Sequence, residues 1–431
     1  MNPLEYLFGL EFHGHKFGLE NIRALTDALG RPQDASPSVA VAGTNGKGSV
    51  CAMTAAALTA AGLRTGRYTS PHLVCVEERF AVDGVPVTSR ELKETVYALR
   101  ALAERLQADG RLQAPPTFFE VATAAAFEIF RRRRVDIAVL EVGLGGRLDA
   151  TAVATPVAGA ITNIDLDHQQ YLGDTLAAIA TEKAGIIKSG MRVVCGERRP
   201  EPLGVIADAC SARRAELVRA FDDVSWSEAV SGGRTTIELR TPVRAYGPLT
   251  LALRGRHQAA NAIVAVRLLE ALGKAGVPVP AAAIERGLRE ARWPGRLQVV
   301  RMPDGRTALL DAAHNAAGAA TLADYLGETA PSGQPMVFAA MRDKDHAAMF
   351  RHLLPFVSHL VLTAPPTRRA APPEYLRQVA QSIDPGARVV IEPDPARALA
   401  AAWTLASDIT VAGSIYLLGA VLPLLGPDAR D

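Results

Sequence analysis

The stretch "VAVAGTNGKGSVCAMTAAAL", Val39–Leu58, decides the fold class. A short apolar run leads into a glycine-rich turn and then into an alanine-rich segment of helical composition. Strand, turn and helix in that order make a loop that can hold phosphate. Backbone N–H groups and a helix N-terminus converge on the anion, and Lys47 adds a mobile positive charge. The common pattern is a Gly, four residues, then Gly-Lys followed directly by Ser or Thr. Here Val41 stands at the first Gly, and Gly48 separates Lys47 from Ser49. Gly43, Gly46 and Gly48 permit turns that a Cβ resists. Lys47 is positioned to reach outer phosphates, and Ser49 to place a hydroxyl on Mg²⁺. The plainer alternative is a glycine-rich turn with a chance lysine.

Working outward, strand and helix signals alternate, which predicts α/β layers. Val39–Gly43, Val135–Val142, Ala158–Thr162 and Arg192–Cys195 are short apolar runs of the kind found in buried parallel strands. Helical patterns fill Lys47–Ala61, Glu91–Gln107, Thr117–Phe130 and Thr175–Ala184. The texture then changes: Thr235–Leu239 and Leu249–Leu253 read as antiparallel strands, followed by helices over His257–Leu272 and Ala281–Glu290. "ARWPGRLQVV" (Ala291–Val300) is a Pro/Gly break, and the domain boundary is placed near Arg296. This gives an ATP-binding domain over residues 1–296 and a smaller Rossmann-like α/β domain over 297–431, with the site between them. In the second domain strands are expected over Ala308–Asp311, Met336–Ala339, Leu360–Thr363, Val389–Ile391 and Ile409–Ala412. Helices are expected over Ala316–Leu326, His346–Leu354 and Pro395–Ala406.

The chain has 431 residues, 48% of them hydrophobic, and a formal net charge of +2. No overall field favours nucleic acid or a membrane surface. The basic run Arg131–Arg134 falls at a helix C-terminus, where positive charge is favourable. The four cysteines form no C-x-x-C pair, which suits free thiols in a reducing cytoplasm. The N-terminal "MNPLEYLFGLEFHGHKFG" carries Glu and His within its apolar stretch, unlike a secretory leader. Ile409–Gly426 is uncharged, but Gly413-Ser414 divides it and Pro423 interrupts it, so a strand plus a helix is expected rather than a membrane span.

Polar residues cluster at the ends of the predicted strands. Glu141 lies at a C-terminal strand edge, where open α/β sheets bind ligands, and a carboxylate there suits Mg²⁺. A salt-bridged surface glutamate is the alternative. Asp165, Asp167 and His168 follow the next strand. Ser70 in "TSPHL" is either a metal contact or part of a Ser-Pro turn. Asp311, His314 and Asn315 in "LLDAAHNAAGA" serve function or cap the following helix. By pattern alone, Lys183 reads as a surface lysine.

Together "GTNGKGS", "TSPHL", "TFFEVATAAAF", "LEVGLGGRLDA", "IDLDHQQYLG", "EKAGIIK", "WPGRL", "DAAHN" and "AMRDKD" resemble the Mur-ligase superfamily. The resemblance is to its folate branch, the bifunctional dihydrofolate synthase/folylpolyglutamate synthases, and covers nearly the whole chain. It implies an ATP loop over Gly43, Thr44, Asn45, Gly46, Lys47, Gly48 and Ser49, with Asn261, Arg296 and Asp311 as further ATP contacts. Ser49, Ser70, Glu141 and His168 match the residues that hold two Mg²⁺ ions, and K⁺ is a further cofactor to consider. Lys183 matches a lysine carried as a carbamate in many members. Thr117, Phe118, Phe119, Glu120, Leu148, Asp149 and Ala150 match pterin-binding positions. Phe118 or Phe119 would offer an aromatic face, unless they belong to the core, and Asp149 would accept pterin N–H groups. His314 lies where the incoming amino acid is expected, so Lys47, Lys183 and His314 are the implied catalytic residues. Ala152, the missing Pro after Asn315, and "AMRDKD" depart from the usual family forms and put local loop geometry in question.

The implied reaction transfers the γ-phosphoryl group of ATP to a carboxylate and then replaces phosphate by the amine of L-glutamate. Dihydropteroate and reduced folates are the implied substrates of a cytoplasmic monomer with neither nucleic-acid nor membrane partners. One rival is a cell-wall ligase acting on a UDP-sugar peptide, which usually has a nucleotide-sugar domain ahead of the phosphate loop. The short stretch before Val41 speaks against it. The other rival is an ATP-dependent switch that performs no ligation.

Overall fold

The computed structural model describes residues 2–10 and 18–426; residues 1 and 11–17 of the N-terminal stretch discussed above lie outside the described residues. The first sheet contains β1 (Ser38–Ala42), β2 (Thr65–Tyr68), β3 (Phe80–Val82), β4 (Val85–Pro86), β5 (Ile137–Glu141), β6 (Ala158–Ile161), β7 (Arg192–Cys195) and β8 (Glu216–Arg219). Their order is β4-β3-β2-β5-β1-β6-β7-β8. The six strands from β2 to β8 in that order are parallel, and β3 and β4 add an antiparallel edge.

β1 is buried along its whole length between β5 and β6. That explains its unbroken apolar run, since both sheet faces are covered. On one face Val39, Val41, Ile137 and Val139 pack with the helices Lys47–Ala60, His257–Lys274 and Ala281–Glu290; on the other, Ala138 and Leu140 meet Ser89–Ala108 and Phe118–Arg133. Val41 is in register with Glu141. The phosphate loop after β1 and the carboxylate ending β5 therefore emerge side by side.

A three-stranded antiparallel sheet follows, formed by β9 (Ser225–Ser231), β10 (Arg234–Arg240) and β11 (Ala245–Thr250). The last of these begins before the expected Leu249, because Tyr246 and Ala245 already pair with Leu239 and Arg240. Gly and Pro within "AYGPLT" concealed it. The third sheet has β12 (Gln298–Arg301), β13 (Thr307–Asp311), β14 (Gln334–Phe338), β15 (Val357–Leu362), β16 (Val389–Ile391) and β17 (Asp408–Ala412), in the order β12-β13-β17-β14-β15-β16. It is mixed: β12 runs antiparallel to β13, and the other pairs are parallel.

The uncharged C-terminal segment divides into β17 and the helix Ile415–Val421 at Gly413-Ser414. No helix among the described residues is long and apolar enough to cross a membrane. The basic run closes the helix Phe118–Arg133, with Arg131 and Arg132 paired to Glu128 and Arg133 to Glu91.

Candidate active site

Backbone conformation and close packing build the phosphate loop. Gly46 begins the helix Lys47–Ala60 at φ +82°, and a Cβ there would lie 2.4 Å from Asn261 Oδ1. Gly48, the residue inserted before Ser49, passes so near Trp293 that a Cβ would meet its ring at 2.4 Å. The inserted glycine thus lets the tryptophan of "WPGR" close over the start of the helix. Asn163 Oδ1 accepts Asn45 N–H at 2.9 Å, and Thr162 Oγ1 donates to Asn45 O at 2.6 Å. Thr44 Oγ1 accepts Asp165 N–H at 2.8 Å. Gln258 Nε2 donates to Ser49 Oγ at 3.3 Å, while its Oε1 accepts from Asn261 Nδ2 at 2.9 Å.

Lys47 Nζ donates to the carbonyls of Gly43 and Thr44, each at 3.0 Å. Its positive charge acts on Glu141, His168 and Lys183. Glu141 is buried, and Ser70 N–H donates to its Oε2 at 3.1 Å. Burial raises its pKa, against the opposing pull of Lys47, the Ser70 N–H, Arg296 and Arg67. His168 sits in the left-handed region at φ +53°; burial lowers it to about 4, so its ring is neutral at pH 7 and able to offer a lone pair. Lys183 is no surface lysine: it is 5% exposed and donates to Gly43 O at 2.8 Å. Burial, then Lys47, lowers it to about 7.

Across the cleft, Asp311 ends β13, its carboxylate accepting Leu297 N–H and Ala313 N–H, each at 2.9 Å. Burial raises its pKa, with Arg296 opposing. Asn315 caps the helix Ala316–Thr329 through Gly318 N–H. The same side chain donates to Asn45 Oδ1 at 3.1 Å and Asp167 Oδ2 at 3.0 Å. The cap and function readings of Asn315 are therefore compatible. Asp167 also receives Lys344 Nζ at 2.7 Å and lies 3.5 Å from His314 Nε2. Burial alone would raise its carboxyl; His314, His168 and Lys344 together hold it well below the ordinary carboxylate range. Sequence reasoning gives Lys344, Gln258 and Trp293 no role, because only the folded chain brings them to these partners.

The implied pterin residues behave differently. Thr117 and Glu120 form a reciprocal capping box on the helix Phe118–Arg133: Thr117 N–H meets Glu120 Oε2 at 2.7 Å, and Glu120 N–H meets Thr117 Oγ1 at 3.2 Å. Phe118 is a core residue, stacked 6.1 Å from Phe8 and lying under the Arg79 guanidinium. Phe119 is less buried and packs against Gly143. Asp149 accepts four hydrogen bonds, from Gly143, Leu144 and Thr151 N–H and from Thr151 Oγ1, at 2.6–3.1 Å. That uses about the full acceptor capacity of a carboxylate. Leu148 is half-buried and Ala150 buried beside it.

Among the described residues no three His, Cys, Asp or Glu side chains gather into a metal-holding group. Ser49 and Glu141 are nevertheless hard oxygen donors of the type Mg²⁺ takes alongside phosphate, and among the described residues no side chain hydrogen-bonds to Glu141. The donor chemistry therefore fits a divalent ion whose shell is completed by phosphate and water.

The Mur ligase middle domain family matches residues 41–269, and the Mur ligase glutamate ligase domain family matches 295–415. A Mycobacterium tuberculosis dihydrofolate synthase/folylpolyglutamate synthase is 34% identical over 96% of this chain and 91% of its own length. This chain belongs to the Mur ligase family. A probable bifunctional folylpolyglutamate synthase/dihydropteroate synthase of Haloferax volcanii is 37% identical over 96% of this Mur ligase but 49% of its own length, so the chain spans about half of that relative. The solved M. tuberculosis folylpolyglutamate synthase complexed with ADP superposes with a TM-score of 0.92 at 33% identity, covering 99% of each chain. The Escherichia coli protein in complex with DHPP and ADP superposes at 0.86, with 30% identity over 100% of this chain and 98% of that one. A bifunctional folylpolyglutamate synthase/dihydrofolate synthase with Mn, AMPPNP and L-glutamate bound superposes at 0.83, with 30% identity over 99% and 98%.

Proposed function

We propose that this Mur ligase is an ATP-dependent enzyme that adds L-glutamate to dihydropteroate and to the γ-carboxylate of reduced folates, releasing ADP and phosphate. The carrying observation is the convergence of Glu141, His168 and Lys183 on the field of Lys47, with Asp167, Asn315 and Lys344 joining the phosphate loop to the third sheet. ADP, AMPPNP, DHPP and L-glutamate bound in structural relatives support the substrate set.

A carboxylate resists amine attack because its oxygen is a poor leaving group. Phosphorylation by ATP converts it to an acyl phosphate; the glutamate amine then attacks the carbonyl carbon, the C–O bond breaks, and phosphate leaves. In this reading Gly43, Thr44, Asn45, Gly46 and Gly48 cradle the nucleotide phosphates through backbone N–H groups, and Lys47 turns from its own loop carbonyls to the γ-phosphate. Catalysis of this kind is mainly positioning and charge stabilisation. Asn261, Arg296 and Asp311 bind the nucleotide, and His314 faces the incoming glutamate. Ser49, Ser70, Glu141 and His168 would hold two Mg²⁺ ions, which supply charge neutralisation at the transferring group. Free Lys183 amine, abundant near its depressed pKa of about 7, is the form that adds CO₂ to give a carbamate. K⁺ binding, the monomeric state, the cytoplasmic location and the division into residues 1–296 and 297–431 belong to the same proposal. The pterin assignment narrows: Phe119 and Leu148 offer contact surface, while Thr117, Glu120 and Asp149 brace the backbone around it.

The test is ADP release with ATP, Mg²⁺ and L-glutamate, comparing dihydropteroate, tetrahydrofolate and a UDP-sugar peptide. Glutamate-dependent turnover is expected with the first two. Turnover with the UDP-sugar peptide alone, or ADP release independent of glutamate, overturns the proposal. Tetrahydrofolate turnover without dihydropteroate turnover removes its bifunctional half.

A further inference from the structure

A cleft of about 950 Å³ lies along the linker between the first and third sheets, walled by Ala291–Pro303, by Arg234 and Arg254, and by Leu424–Gly426. Arg234, Arg254, Arg292, Arg296 and Arg301 all line it. Some surface arginines in this protein stand beside a carboxylate, as Arg90 does with Glu94 and Arg397 with Glu392. Among the described residues none of these five has a carboxylate partner; Arg254 and Arg296 donate only to the carbonyls of Gly232 and Gly295. Arg289, at the rim, is paired with Glu285. The cleft continues past Arg254 and Arg301 into a second hollow of about 560 Å³ beside Gly232, Gly233 and Tyr325. Arg256 there is already neutralised by Glu228 and Glu328. Arg234, Arg254, Arg292 and Arg301 thus follow an elongated groove that begins at Arg296, whose own charge acts on Glu141 and Asp311.

Glu290, paired with Arg286, is the one carboxylate among the described residues lining the cleft, so like charges gather there in excess; they repel one another and raise the local concentration of anions. Guanidinium forks match carboxylate geometry in particular. Nucleic acid is disfavoured because stacking needs exposed aromatic faces. Trp293, the groove's aromatic side chain nearest the phosphate loop, has its ring against Gly48 and its face under Arg67. A γ-glutamyl chain has the complementary chemistry. Each added glutamate displaces the pterin end further from the transferring phosphate and adds one α-carboxylate, so a longer substrate needs cationic contacts outside a pocket sized for pterin.

We infer that the arginine groove from Arg296 to Arg301 binds the α-carboxylates of a lengthening γ-glutamyl chain. This inference rests on the ligase reading above. The test uses the full chain with Arg292→Gln and Arg301→Gln together, both at exposed positions. The expected result is a KM for pentaglutamyl tetrahydrofolate raised by about tenfold, with KM for the monoglutamyl substrate and both kcat values unchanged. Equal KM changes for the two substrates, or none, overturn the inference. Calorimetry with free γ-linked pentaglutamate keeps the groove testable without turnover. Binding by the wild-type protein that the double variant loses supports the groove even if the ligase reading fails. No binding, or equal binding of α-linked pentaglutamate, overturns it even if the enzyme ligates.

Discussion

The loop after β1 and the stretches Thr117–Glu120 and Gly143–Thr151 contain similar polar residue types and use them in opposite ways. In Thr117–Glu120 and Gly143–Thr151, Thr117 Oγ1, Glu120 Oε2 and both Asp149 oxygens accept nearby backbone N–H groups, while Glu120 Oε1 is buried with no hydrogen-bond partner among the described residues. Around the phosphate loop, among the described residues, Lys47 is held only by its own loop carbonyls, Glu141 by one N–H, and Lys183 by one carbonyl. Locally satisfied polar groups define shape. Glu141 and Lys183, buried with few partners, have shifted proton affinities.

The largest expected effect is at Lys47. Lys47→Ala should lower kcat by about 10²–10³-fold, the cost of losing a positioned charge on a transferring group. Its unfolding midpoint should match the parent's, since the lysine braces only its own loop. Steady-state ligation beside a thermal melt checks both halves; a folded variant at the parent rate breaks the contrast on its chemical side.

Lys183→Ala should cost about 10²-fold, with partial recovery in acetate if a carboxylate-like group on that side chain is required. The lowered pKa also fixes a sign. The share of free amine rises with pH through about 7, so turnover in bicarbonate buffer should rise across that range. A flat profile with full Lys183→Ala activity would return this residue to the scaffold class.

Lys344→Met leaves Asp167 with a hydrogen bond from Asn315 but no lysine cation. Loss of this charge-assisted bond should weaken the hold between the sheets by about 2 kcal/mol. Small-angle scattering should report a more open chain, and KM for glutamate should rise more than kcat falls. Unchanged scattering and KM would show that the pair does not contribute to closure.

Asp149→Ala should destabilise the protein by about 1.5 kcal/mol through its unsatisfied loop N–H groups. The two ligation reactions should then fall in parallel. A selective loss of dihydropteroate turnover would place Asp149 with the ligand-contacting residues and sharpen the comparison from the other side.

Much of the architecture was legible because it depends on local patterns. The apolar runs gave β1, β5, β6 and β7, and most helices began within a few residues of their expected starts. β3, β4, β8 and β9 carry no strand expectation, and β11 starts before its expected bound: a sequence such as "AYGPLT" owes strand form to neighbours already in the sheet. Lys183 followed only from resemblance, since nothing in its helix signals the burial that lowers its pKa.

The sequence by itself determined the phosphate loop, the α/β alternation and the presence of acidic and histidine residues at strand ends. These are short-range consequences of backbone sterics, helix polarity and apolar periodicity. Tertiary structure alone decided why Gly48 is inserted, which acid joins the two halves, and which polar residues are free for chemistry. Trp293 needs the space at Gly48, and Asp167 meets Lys344 from 177 positions away. Asp149, by contrast, exhausts its acceptors within its own loop. Desolvation and hydrogen-bond saturation depend on everything packed around a side chain, and no single stretch of sequence contains that environment.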